Sequence, residues 1–96
     1  MPRRITERNL ATMTGASDLI ANRNQKRQAV IFSTDAGPVR VFIDQPLVGG
    51  NFGIEITTGV SPLILTREHL GDSIEGEIRA VGGPGVRLTY FGLTGD

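Results

Sequence analysis

Ninety-six residues with ten Lys/Arg, ten Asp/Glu, a single histidine and no cysteine give zero formal net charge and 39% apolar residues. A chain of that size reads as one domain with one modest core, too small for a deep pocket. Having no cysteine, it holds no disulfide framework or thiolate metal site and fits a reducing compartment, and no apolar run approaches the roughly 18–20 residues of a membrane helix.

The chain opens on Met1-Pro2-Arg3-Arg4, similar to the basic start of an export signal. Residues 5–22 lack the apolar core such a signal needs, which argues against export. Residues 4–14 have weak helix character, interrupted by Thr, Asn and Gly15. Charge is unevenly divided: residues 1–28 hold six Lys/Arg against Glu7 and Asp18, a net +4, while residues 29–96 hold four Arg against eight carboxylates, a net −4. Residues 1–18 are therefore expected to form an extended basic arm and residues 19–96 the folded domain. Arg3, Arg4 and Arg8 are the arm's candidates for charge contacts, because an Arg fork suits bidentate carboxylate pairing.

Next comes "LIANRNQKRQAVIF" (19–32), where Arg23, Lys26 and Arg27 stand among Asn22, Asn24 and Gln25 between two apolar patches. Two readings are open, a polar turn between strands or a grip on phosphates. Beyond residue 27 the apolar period is 2. Ala29, Ile31 and Ser33 oppose Val30, Phe32 and Thr34; Val39, Val41 and Ile43 oppose Arg40, Phe42 and Asp44; Phe52, Ile54 and Ile56 oppose Gly53, Glu55 and Thr57. Later, Ile74, Gly76, Ile78 and Ala80 oppose Glu75, Glu77 and Arg79, and Val86, Leu88 and Tyr90 oppose Arg87, Thr89 and Phe91. Such runs predict half-buried strands. "DAGP" (35–38) is expected to close a hairpin, "DQPLVGGNFG" (44–53) is a longer connection, "TTGVSP" (57–62) a turn before Leu63–Leu65, and "GGPG" (82–85) the last tight turn. Only "TREHLGDS" (66–73) has room for a helical turn, which Gly71 stops. About seven short strands at regular spacing predict an all-β fold, a single antiparallel sandwich of jelly-roll type.

Catalytic chemistry finds little here. His69 cannot build a histidine metal cluster and reads as a loop residue. Glu75 and Glu77, alternating with Ile74 and Ile78, read as a solvated strand face, and "GGPG" lacks the Lys-Ser/Thr and helix of a phosphate loop. No catalytic residue, metal site or cofactor is expected. A small nucleic-acid-binding β domain is the alternative of another class, but the aromatics fall mostly in apolar strand patterns that core packing claims, and the chain is neutral overall.

From residue 19 the order of features resembles small structural proteins of tailed-phage virions. "LIANRNQKRQAVIFST" is similar to that group's Asn-containing turn, Arg and apolar strand, with Asn22 at the turn Asn and Arg27 at the motif Arg. "FGIEITTGVSPLILTREHLGDSIEGEIRAV…VRLTYFGL" is similar to its later part, Ile54, Ile56, Gly76, Ile78 and Ala80 falling on matching positions. The resemblance spans residues 19–93; the turn is about two residues longer than usual, and Thr34 stands where the group tends to have Asn. It implies a capsid decoration or cement protein, or a tail, baseplate or fibre component. Its partners would be copies of itself, as a trimer, and the major capsid protein or another virion protein; it would assemble in the bacterial host cytoplasm and reside in the virion. It also implies that the basic stretch is first a turn, with Arg27 bonded to carbonyls or a carboxylate. No membrane partner is expected.

Overall fold

A computed structural model describes residues 3–44, 53–60 and 62–95. Eight strands are present among them: β1 (Arg4–Thr12), β2 (Asp18–Ala21), β3 (Arg27–Thr34), β4 (Val39–Ile43), β5 (Ile54–Ile56), β6 (Leu63–Thr66), β7 (Ile78–Gly82) and β8 (Arg87–Thr94). One helical turn, α1 (Arg67–Leu70), runs into a 3-10 turn over Gly71–Glu75, and a second 3-10 turn covers Thr58–Val60. The strands form two four-stranded antiparallel sheets, ordered β1-β8-β3-β6 and β2-β7-β4-β5. The chain changes sheet at every connection except β4–β5. That interleaving is the order of a jelly roll.

Period-2 alternation places the core between the sheets. Val30, Phe32, Leu88 and Tyr90 from the first sheet meet Val39, Val41, Ile78 and Ala80 from the second, all at most 1% exposed. The Phe32 and Tyr90 rings stack at a tilt of 39°, centroids 5.4 Å apart. With few aromatics, β-branched and Leu side chains fill most of the remaining space, each fully buried one contributing roughly 1.5–3 kcal/mol.

Four expectations are corrected. The basic arm is not separate from the domain: β1 pairs with β8 from Arg4↔Thr94 to Thr12↔Arg87, so most of residues 1–18 belongs to the sandwich. Its strand signal is weak because β1 is an edge strand whose side chains on the core side are Glu7, Asn9 and Ala11, and a bulge between Ile5 and Glu7 breaks the alternation. "DAGP" closes no hairpin, since it carries the chain from β3 in one sheet to β4 in the other; "GGPG" is the tight turn expected, its Val86 N–H donating to the Gly83 carbonyl at 3.1 Å, and it too leads from one sheet to the other. Breaker residues mark a reversal without saying whether the next strand pairs in the same sheet. The strand read over residues 74–80 begins only at Ile78, because Ile74 lies in the 3-10 turn. Glu75 and Glu77 therefore share no strand face: Glu75 Oε2 lies 2.8 Å from Arg67 Nη2, and Glu77 Oε1 lies 2.8 Å from Arg79 Nε. Residues 45–52, including Phe52, lie outside the described part.

The stretch 22–26 joins β2 to β3 as a polar turn. The Lys26 N–H donates to Asn24 Oδ1 at 3.0 Å, the Arg27 N–H to the Asn24 carbonyl at 3.1 Å, and the Asn24 N–H to the Glu75 carbonyl at 2.8 Å. An Asn side chain bonding the main chain two residues on is a standard turn device.

Candidate interaction surface

Arg27 begins β3 at a bulge that turns its side chain inward, and it is completely buried. Its Nε and Nη2 donate to the two carboxylate oxygens of Glu7 at 2.9 and 3.1 Å. Nη1 donates to the carbonyls of Ile74 at 2.9 Å and Gly76 at 2.7 Å, and Nη2 also to that of Asn22 at 2.6 Å. A guanidinium has five N–H donors, and these contacts account for all of them. The Tyr90 hydroxyl donates to Glu7 Oε1 at 2.7 Å. One cation thus ties β1, the 22–26 turn, the 3-10 turn before β7 and, through Glu7, β8. Gly92 sits opposite Glu7 in the ladder, where a Cβ would collide with the Glu7 carboxylate and the Tyr90 hydroxyl. A second arginine extends the cluster: Arg67 Nη2 donates to the Arg27 carbonyl at 2.9 Å and Nε to Gln28 Oε1 at 3.1 Å.

Partial burial alone would raise the Glu7 pKa, but the hydrogen bonds from Arg27 and Tyr90 together with the Arg27 charge outweigh it and hold the carboxyl below its ordinary value. Burial, then donation to Glu7, pushes the Tyr90 phenol well up. An ionised carboxylate between a permanent cation and a neutral phenol is a satisfied structural cluster.

Of the other expected site residues, only Asn22 reaches this cluster. Asn22 contributes only its carbonyl, its side chain being exposed. Arg3 reaches Glu68 at 3.3 Å on the surface, Arg4 is exposed opposite Thr94, and Arg8 is exposed opposite Phe91. Of the three arm arginines, Arg3 thus makes a charge contact within the chain, while Arg4 and Arg8 stand exposed on β1. In the basic stretch Arg27 is wholly engaged and Arg23 pairs with Asp44 at 3.1 Å, which leaves less charge for phosphates than composition suggested. His69 serves its own turn: the Thr66 N–H donates to its Nδ1 at 3.1 Å, in a capping box at the start of α1. Among the described residues, no three His, Cys, Asp or Glu side chains gather in a way that could hold a metal ion, and no helix is long and apolar enough to cross a membrane.

The two outer sheet faces differ sharply. On the β2-β7-β4-β5 sheet, Arg40 pairs with Glu55 and Arg79 with Glu77, giving a face of matched charge. On the β1-β8-β3-β6 sheet, the register aligns Arg8, Phe91, Ile31 and Ile64 in one row across all four strands. Ile5 and Leu93 flank this row on one side, Leu10 and Thr89 on the other. Among the described residues, three of the four exposed large apolar side chains lie here, Leu10 at 64%, Ile64 at 54% and Ile5 at 41%. A shallow groove lined by Arg8, Leu10, Thr89 and Phe91 crosses the β1 end. An apolar sheet face this continuous is the surface best suited to receive another protein.

Sequence reasoning missed Glu7 as the partner of Arg27, and Tyr90 and Gly92 as the residues that hold Glu7 in place. An edge carboxylate, a core tyrosine and a strand glycine carry no joint signal without the strand register. The alternation of Leu88 and Tyr90 against Thr89 and Phe91 does put Phe91 on the opposite face from Tyr90, as the register shows.

No family model matches the chain, and no curated protein matches it. One solved structure, reported under the words "Bacillus endospore appendages form a novel family of disulfide-linked pili", shares the fold at 15% sequence identity, with a TM-score of 0.54 over 97% of this chain and 83% of that one. The similarity is one of fold; the present chain has no cysteine with which to form the linkage those words describe.

Proposed function

We propose that this chain is a structural subunit that works by association with copies of itself and with a larger assembly. The observation that carries this reading is the apolar row on the β1-β8-β3-β6 sheet beside a charge-matched opposite face, with the buried Arg27 fully engaged in holding the fold. Among the described residues, His69 caps a turn and the Glu7–Arg27–Tyr90 cluster has no donor of Arg27 free for a substrate, which supports association over catalysis. The finer form is a virion protein of a tailed phage, a capsid decoration or cement protein, favoured by the motif resemblance around Asn22 and Arg27 and by the jelly-roll order found in capsid domains. A tail, baseplate or fibre position is its alternative within the virion. The fold similarity to an appendage protein favours a second reading, a subunit of a pilus-like polymer. A trimer follows only from the resemblance, and no feature of the described residues favours three copies over two.

Co-sedimentation of the purified chain with phage particles tests the first form, and negative-stain microscopy of the concentrated protein tests the second. Particle binding that survives moderate salt is expected for a decoration protein, and filaments for an appendage. Salt-sensitive retention on DNA with neither outcome would move the assignment to the nucleic-acid class.

A further inference from the structure

Resting on the structural reading above, we propose that the outer face of the β1-β8-β3-β6 sheet receives a second copy of this chain, packed sheet to sheet about a two-fold axis parallel to the strands.

The extent of the face suits a partner of the same kind. Strands β1, β8 and β3, of eight or nine residues, and the four-residue β6 lie about 4.8 Å apart and at about 3.3 Å per residue make a face of roughly 460 Å². Two such faces bury about 900 Å² in total, just under the roughly 1,000 Å² that a stable interface clears, so the dimer is a weak one that forms at high concentration. The row Arg8–Phe91–Ile31–Ile64 is apolar from β8 to β6, and its one charge stands at the β1 end.

That charge selects the arrangement. With the two-fold axis perpendicular to the strands, each strand would face its own copy, so Arg8 would oppose Arg8 and the like charges would repel. With the axis parallel to the strands, β1 faces the partner's β6 and β8 faces its β3. Arg8 then lies over Ile64, covering it with its aliphatic stem while the guanidinium reaches solvent at the rim. In the same arrangement Phe91 meets Ile31, and Ile31 meets Phe91, at the centre of the interface. The contact is self-complementary, as an isologous dimer requires, and it leaves the charge-matched faces of both copies outward for water or for the larger assembly.

Light scattering on the intact chain at high concentration should give a dimer, twice its 10.3 kDa mass. Ile31→Lys and, at the more exposed rim, Ile64→Lys should each weaken the dimer by at least about thirtyfold while keeping the β-rich circular dichroism. Leu19→Lys on the opposite face should leave it unchanged. Because the chain has no native cysteine, thiol positions report geometry directly. A short bismaleimide should link the Leu10→Cys, Ile64→Cys double variant, which keeps the Arg8 charge, into a dimer and leave Ile64→Cys alone unlinked. Efficient linking of Ile64→Cys alone would overturn the axis assignment. A wild-type chain that is monomeric at high concentration, or a dimer indifferent to both lysine variants, would overturn the inference. If that monomer still joined particles through Ile31, the face would belong to a different protein, and the structural reading would survive. A dimer that joins neither particles nor filaments would uphold the inference and remove the structural reading instead.

Discussion

Glu7 and Arg27, twenty positions apart, meet as a two-pronged ion pair with N–O distances of 2.9 and 3.1 Å, the cation entirely buried and the carboxylate 23% exposed. This pair joins the N-terminal edge strand to the turn between β2 and β3. It decides how several substitutions should behave.

Arg27→Ala removes one partner of a buried pair and leaves Glu7 together with the carbonyls of Asn22, Ile74 and Gly76 without their donor. Breaking such pairs costs roughly 3–5 kcal/mol. Arg23, whose side chain is 60% exposed beside Asp44, and exposed Lys26 should each change stability by no more than about 0.5–1 kcal/mol on substitution by Ala. Urea midpoints for the three variants decide the matter. Equal midpoints would mean that the buried geometry of Arg27 contributes nothing.

Acid should act through Glu7. Its folded-state pKa lies below the unfolded value of about 4.3, so its stabilising contribution is whole above that value and is lost as pH falls through the lowered folded value. Denaturation midpoints of the wild-type chain should therefore fall on the acid side, whereas Glu7→Gln should start lower at neutral pH and fall less steeply. Identical acid limbs would place the acid sensitivity elsewhere.

Much of the fold is legible in the sequence because burial between two sheets writes itself as period 2: Val39, Val41 and Ile43, or Leu88 and Tyr90, announce their face by alternation alone. Arg27 is legible too, from its place just ahead of an apolar strand. β1 is not, because two of its core-side positions are Glu7 and Asn9, half-buried side chains held by bonding to Arg27 and to the Ile20 carbonyl and not by apolar contact. The apolar outer row is hidden for a different reason. Arg8, Phe91, Ile31 and Ile64 come from four separate segments, and only the register between strands places them side by side.

Gly92→Ala should destabilise the domain although Gly92 lies in an ordinary strand. The added methyl meets the Glu7 carboxylate and the Tyr90 hydroxyl, neither of which can move without breaking a bond to the other or to Arg27. Overpacking of this kind costs roughly 1–3 kcal/mol. Gly85→Ala, where a Cβ would meet nothing within 4 Å but φ is +90°, separates the two causes, since its cost comes from the backbone alone. The decisive comparison is each substitution made in a Glu7→Ala background. Relief of the Gly92→Ala penalty there, with the Gly85→Ala penalty unchanged, is the expected result.

Deletion of residues 1–12 tests whether the N-terminal segment is a tail or a strand. A passive basic tail would leave the urea midpoint where it was. As β1, however, the segment pairs with β8 along its length and supplies the carboxylate that neutralises Arg27. Its loss would expose one edge of β8, a template for unwanted pairing, and leave a buried guanidinium with only main-chain acceptors. The truncated chain is therefore expected to lose its cooperative transition or to aggregate. Adding Arg27→Met to the deletion should restore part of the lost stability, because an apolar side chain of similar length has no charge to compensate. Coincident unfolding curves for the full and truncated chains would show that the sandwich closes without β1, and no rescue by Arg27→Met would show that the ladder, not the ion pair, is what the strand supplies.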